Sequence, residues 1–390
     1  MSTEEAKQGN RLAPIRSHRA DGRFTSTAGW VHHRLKTLRP ALAFDPRMTA
    51  DEFLAWKREV RRRLTRLLAL PRVSLEPPPK LISDEPRDGY SLQRWELYPE
   101  PDSVLPVLLL VPDCASRSHR APGVLCLPGT DHPNEWLAGE PDVPGTPPRR
   151  FVTQNAMALH LVRCGMVALC VENPGTASLA EPRVSDWRRQ SWELVWLGTS
   201  YEALSVFHKR VALRWLRTLP MVDRRRLAAC GHSLGGKPSV LLGVLEPSLR
   251  AVVWNSGAYD WRLRHVVTNL KPVAPWHYIP GFIRWFDYLD LKAALAPMPL
   301  LLSEGGRAEG LEKVRQAYAL AGAPDALTVS YVPSFRDASR RTRDGEPMPE
   351  GLEQEEFLLY QNGTNDEHYF KDDVTVPWLC RALGLGRPAP

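Results

Sequence analysis

Between Thr49 and Leu70, Phe53, Trp56, Val60, Leu64, Leu67 and Leu68 recur at helical spacing with arginines between them. This predicts an amphipathic helix with one buried face. Thr49 followed by Asp51 and Glu52 supplies its start, and Pro71 stops it. From Tyr90 to Tyr98 the pattern changes to strict alternation, and Leu105 to Val111 is a continuous apolar run, which together predict two antiparallel strands. Gly123 to Pro128 is short, apolar and bounded by turn residues, as a buried strand requires. Helix and strand then alternate: helix Phe151 to Arg163, strand Val167 to Glu172, helix Tyr201 to Leu216, strand Leu227 to Cys230, helix Val240 to Leu245 and strand Ala251 to Trp254. After an interruption come strand Pro299 to Leu302, helix Glu309 to Leu320, strand Leu327 to Val332 and helix Val374 to Leu383. Helices between strands imply parallel crossovers, so the expected fold is α/β, with a mostly parallel sheet flanked on both faces and a helical N-terminal extension.

The expected organisation is a polar arm over residues 1–48 and one domain over 49–390, with no internal repeat. Two inserts interrupt the alternation. Residues 256–298 carry Trp261, Trp276, Trp285 and several further aromatic side chains beyond the end of a strand. In an open α/β sheet that is where ligands bind, so Trp261, Trp276 and Trp285 are expected to line or lid a pocket, the alternative being a satellite core. Residues 333–366 are polar and arginine-rich, and so long a connection is either functional or disordered.

Composition narrows the function classes. The chain of 390 residues is 43% hydrophobic and 24% charged, ordinary values for a globular protein. A net charge of +7 could indicate a polyanionic partner, but the arginines are dispersed and not interleaved with aromatics, so no nucleic-acid partner is expected. No apolar run suits a membrane span and no secretory pattern opens the chain, so a cytoplasmic protein with no membrane partner is expected. Six cysteines without C-x-x-C spacing are expected as reduced thiols. Nothing in the pattern bears on the oligomeric state.

The candidate chemistry lies in Gly231-His232-Ser233-Leu234-Gly235-Gly236-Lys237, set between a strand and a helix. There Gly-x-Ser-x-Gly makes a tight turn that raises a serine hydroxyl above the end of a sheet, with helix N–H groups aimed at the same point. The stretch also fits most of a phosphate loop, but Pro238 stands where a Ser or Thr should follow the lysine, which ranks nucleotide binding second. A serine needs a base, usually histidine held by a carboxylate, in the chain order Ser, acid, His. Of His265, His277 and His368, only His368 follows the last expected strand. For the acid, Glu309 is the first candidate, with Glu304 and Asp260 as alternatives. The oxyanion donors are expected from the backbone of Leu234 and Thr130.

These residues resemble the α/β-hydrolase superfamily, and within it the dienelactone-hydrolase-like and acetylxylan- or glucuronoyl-esterase-like branch. The resemblance rests on the turn at Gly231 to Lys237, on the preceding Val222-Asp223-Arg224-Arg225-Arg226-Leu227, and on Leu295 to Leu301, with Met298 where arginine is usual. Gly305 to Gly310 is similar to the turn that carries the acid, which favours Glu309; the loop at Pro128-Gly129 departs from the usual His-Gly. The resemblance implies a serine hydrolase that cleaves a carboxylic ester through an acyl-serine, on a small-molecule carbohydrate or aryl ester, without metal or organic cofactor. The alternative is a protein that keeps the fold and serves only in binding.

Overall fold

The computed structural model describes residues 13–140, 155–181 and 187–386. Nine strands form one sheet: β1 (Lys80–Arg87), β2 (Tyr90–Leu97), β3 (Leu105–Pro112), β4 (Ala121–Leu127), β5 (Val167–Val171), β6 (Val222–His232), β7 (Ala251–Asn255), β8 (Leu300–Leu302) and β9 (Leu327–Val329). Their order is β1-β2-β3-β5-β4-β6-β7-β8-β9. β1, β2, β3 and β5 pair antiparallel in turn, and every pairing from β5 through β9 is parallel. The helices are α1 (Thr27–Thr37), α2 (Ala50–Leu68), α3 (Asn134–Ala138), α4 (Met157–Arg163), α5 (Trp187–Trp196), α6 (Tyr201–Leu216), α7 (Gly236–Leu245), α8 (Trp261–Val267), α9 (Tyr288–Ala294), α10 (Ala308–Leu320), α11 (Gln354–Tyr360) and α12 (Asp372–Ala382).

The inner strands β3, β4, β5, β7 and β8 and the inner half of β6 are largely apolar because each feeds two cores. In β6, Leu227 and Ala229 join one core with α2, α6, α7, α9 and α10, while Ala228 and Cys230 join the other with α3, α4 and α12. In β5, Val167, Leu169 and Val171 alternate with Ala168 and Cys170 in the same way. This is the two-residue period of a strand covered on both faces. The expected mostly parallel α/β sheet is therefore observed. None of the described helices is long and apolar enough to cross a membrane.

The structure differs from the expected elements where charge or insertion hides the pattern. β1 is an edge strand with no buried position, so it shows no apolar alternation. β6 starts at Val222 and carries Asp223 to Arg226 at its outer end. α7 starts at Gly236 rather than Val240, because a helix tolerates proline in its first turn, where Pro238 stands. The start of the helix expected from Phe151 lies outside the described residues, as do residues 1–12 of the expected arm.

Residues 27–48 are not a detached arm. Ser26 caps α1, whose buried His32 has Nε2 2.9 Å from the Val266 carbonyl. Farther on, Phe44 lies edge-on to Phe53 and Trp56 of α2, with ring centroids 5.8 and 5.5 Å apart. Segment 333–366 is also built in: Leu352, Phe357 and Tyr360 cluster with Val267, and the Leu352 amide donates to the Val267 carbonyl at 2.9 Å.

Candidate active site

The carboxyl ends of β4, β6, β7 and β8, neighbours in the sheet, bring Thr130, Ser233, Asn255 and Glu304 to one rim. Ser233 follows β6 with φ of 52°, a conformation disfavoured for a side chain-bearing residue. The glycines on either side are sterically obligatory. A Cβ on Gly231 would lie 2.1 Å from the Gly235 carbonyl oxygen, and one on Gly235 would lie 2.3 Å from that of Leu127. The turn thus packs against itself and against the end of β4, and holds Ser233 at the head of α7.

His368 lies on the loop between segment 333–366 and α12, and its Nδ1 is 2.7 Å from Glu304 Oε2. The other oxygen of Glu304 accepts from Asn255 Nδ2 at 2.9 Å and from Lys371 Nζ at 3.2 Å. Lys371 Nζ also donates to the carbonyls of Glu367 (2.5 Å) and Tyr369 (2.6 Å), which ties the carboxylate to the histidine's own loop. Asn255 closes the circuit: its Oδ1 accepts from the Lys371 amide at 2.9 Å, and its Nδ2 also lies 3.0 Å from His232 Nδ1. Burial pushes the Glu304 carboxyl up, but His368 and then Lys371 outweigh it and hold the group below its ordinary value. Burial in turn lowers Lys371, with Glu304 opposing. The rings of His132, His232 and His368 follow one another at 5.8 and 4.9 Å. His132 is driven down to about 4, and His232 well below its usual value, chiefly by burial and then by His368.

A cavity of about 180 Å³ opens onto this rim, and Ser233, Leu234, Thr130, His368 and Glu304 all line it. The expected residues divide there. Glu309 is on the first turn of α10 with an 88% exposed side chain, 3.9 Å from Arg307, and has no part in the cavity. The carboxylate on His368 is Glu304, because β8 ends at Leu302 and the chain turns away at Gly305, whose φ is 63°. Asp260 is half-buried within the aromatic insert, accepts from the Leu289 amide at 3.0 Å, and is pushed up to about 7 by desolvation and then Asp287.

Trp261 lines the cavity, whereas Trp276 and Trp285 do not. Trp276 packs with Tyr201 and Leu234 in a satellite cluster, and Trp285 lies under the Arg63 guanidinium of α2 at 3.5 Å and against the main core, so both serve packing. Lys237, the lysine of the phosphate-loop pattern, has Nζ 2.7 Å from His277 Nδ1 and 3.8 Å from the Trp261 ring centre. Burial brings it down to about 7.

Sequence reasoning missed Asn255, Lys371 and the wall formed by Gln354, Leu358, Gln361, Gly363, Thr364 and Asn365. The position of Asn255 as the last residue of β7, beside the serine's strand, was the available signal.

Residues 6–381 match the sequence profile of the Abhydrolase family. The crystal structure of a putative acetyl xylan esterase from Bacteroides fragilis NCTC 9343 is 33% identical, covers 96% of this chain and 99% of that one, and superposes with a TM-score of 0.89. A glucuronoyl esterase from Solibacter usitatus shares the fold at 17% identity, over 73% of this chain and 86% of that one, with a TM-score of 0.51. The sequence matches none of the curated proteins with which it was compared.

Proposed function

The chain belongs to the Abhydrolase family, and from that premise we propose that it hydrolyses a carboxylic ester of a carbohydrate through an acyl-enzyme on Ser233. The observation that carries this reading is the 2.7 Å contact between His368 Nδ1 and Glu304 Oε2, on the rim of the cavity that also exposes Ser233. With its Nδ1–H donated to Glu304, the imidazole presents a basic Nε2. That nitrogen takes the Ser233 proton as Oγ attacks the ester carbonyl, and the negative charge moves to the carbonyl oxygen. The backbone N–H groups of Leu234 and Thr130 hold this oxyanion, a contribution of about 3–4 kcal/mol per donor in comparable sites. Collapse of the adduct expels the alcohol, which receives the proton from His368. Water then repeats the attack with His368 again as base, releasing the acid and Ser233. Glu304 remains ionised throughout and stabilises the imidazolium, supported by Lys371 and Asn255. The relative at 33% identity, named for acetyl xylan, supports an acetyl group on a sugar as the ester.

Labelling with a fluorophosphonate tests the mechanism. The native protein is expected to label, and Ser233→Ala and His368→Ala to lose labelling entirely and at least about a thousandfold, respectively. A folded native protein that stays unlabelled would leave only the binding role for this fold.

A further inference from the structure

We propose that residues 354–365 form a sugar subsite in which the side-chain amides of Gln354 and Gln361 donate hydrogen bonds to oxygens of the carbohydrate part of the ester. The inference rests on the esterase reading and names the part of the substrate that this wall recognises.

Gln354, Leu358 and Gln361 are spaced by four and three residues along α11 and its C-terminal cap, so they share one helix face, and all three line the cavity. The amide of Gln354 has a determined orientation. Arg264, itself buried, donates from Nε and Nη2 to Oε1 at 3.1 and 2.5 Å, and a guanidinium can only donate. The remaining polar group of Gln354 is therefore its NH2. Gln361 is 2% exposed, and its Nε2 has no hydrogen-bond partner among the described residues. Buried donors are almost always paired in folded proteins, so a buried, unpaired amide on a residue that lines the cavity marks the place of a ligand acceptor.

The rest of the cavity fits the same ligand. Thr364 and Asn365 continue the neutral polar wall, while Trp254, Tyr259 and Trp261 supply aromatic surface. Among the lining residues, Glu304 is the one carboxylate, and both its oxygens are engaged by His368, Lys371 and Asn255. A pyranose presents an apolar C–H face together with ring and hydroxyl oxygens, which match the aromatic and amide surfaces. An aryl ester would fill the aromatic part but offer no acceptor to the buried Gln361 Nε2. This distinguishes the sugar from the aryl alternative.

The wall is also held rigidly, as a specificity element must be. The cluster of Leu352, Phe357 and Tyr360 on Val267 anchors α11, and Asn362 Nδ2 donates to the Gly306 carbonyl at 3.2 Å and to Asp344 at 2.9 Å.

The test uses Gln361→Met and Gln354→Met, which keep bulk and remove the donor, and Gln361→Glu, which keeps shape and replaces the donor with acceptors. Hydrolysis of a monoacetylated methyl xyloside is compared with that of 4-nitrophenyl acetate. The expected result is a loss of kcat/KM on the acetylated xyloside of about tenfold to a hundredfold for each variant. The aryl ester should stay within about twofold, and Ser233 should label at the native rate, which also establishes that the variants are folded. Equal losses on both esters, or no loss on the xyloside, would overturn the subsite. Binding of methyl xyloside to Ser233→Ala, with and without Gln361→Met, separates this proposal from the esterase reading. If no ester is turned over but the xyloside binds and Gln361→Met abolishes binding, the esterase reading falls and the subsite stands. If the acetylated xyloside is hydrolysed and Gln361→Met has no effect on hydrolysis or binding, the subsite falls and the esterase reading stands.

Discussion

Glu304 and Glu309 are five residues apart and of the same chemical type, yet their surroundings separate them. Glu304 is 4% exposed and enclosed by His368, Lys371 and Asn255; Glu309 stands in solvent. In the proposed mechanism, replacing Glu304 with glutamine removes the negative charge that orients and stabilises the imidazolium, and it leaves the Lys371 ammonium without its counter-charge. We expect Glu304→Gln to lower kcat on 4-nitrophenyl acetate by about 10³–10⁴-fold, and to lower stability through the unpaired lysine. Glu309→Gln should change kcat by less than about twofold. Steady-state kinetics on the two variants, with thermal melts alongside, would reverse the assignment of the carboxylate if Glu309→Gln were the one to lose activity.

At the level of elements, α9 carries a buried amine without an ionic or hydrogen-bonded contact among the described residues. Lys292 Nζ sits 3.5 Å from the Trp254 ring centre and has no hydrogen-bond partner among the described residues. Burial lowers it from 10.5 to about 7, although Asp260 and Asp287 act in the other direction. The sign follows from proton counting: between pH 7 and 10 the unfolded chain holds a proton on this amine that the folded chain has released. Its contribution to stability therefore grows as pH rises through that window, on the order of 1.4 kcal/mol per pH unit, and is lost as pH falls to 7. Lys292→Met should stabilise the protein by about 1–3 kcal/mol at pH 7, and the advantage should shrink at pH 9. Urea midpoints at the two pH values measure this, and an advantage that grows with pH would refute the argument.

Across the whole molecule, residues 27–48 are joined to both inserts. Residues 27–48 contact the aromatic insert through backbone bonds from Ala41 to Arg284 and from Leu42 to Trp285, and the Phe44 amide donates to Asp290 Oδ1 at 2.8 Å. Lys36 pairs with Glu350 of the polar insert. Phe44→Ala should therefore cost about 3–5 kcal/mol, readable as a lower urea midpoint at unchanged slope. A cost below about 1 kcal/mol would mean that this segment packs only loosely against the sheet domain.

The inner strands and the serine turn were legible in the sequence because they depend on local physics, whereas His368 was singled out only by its place after the last expected strand. A strand covered on both faces must be apolar at every position, and the turn at Ser233 needs glycine on both sides because backbone atoms occupy the space of a Cβ. These constraints act over a few residues. The partner of His368, the open amide of Gln361 and the packing of Phe44 were decided only by the tertiary structure. Each depends on segments far apart in the chain meeting within a few ångströms, and on burial removing the water that would otherwise satisfy those groups. Hydropathy carries no record of such meetings: a carboxylate beside a buried lysine and one in solvent are written with the same letter.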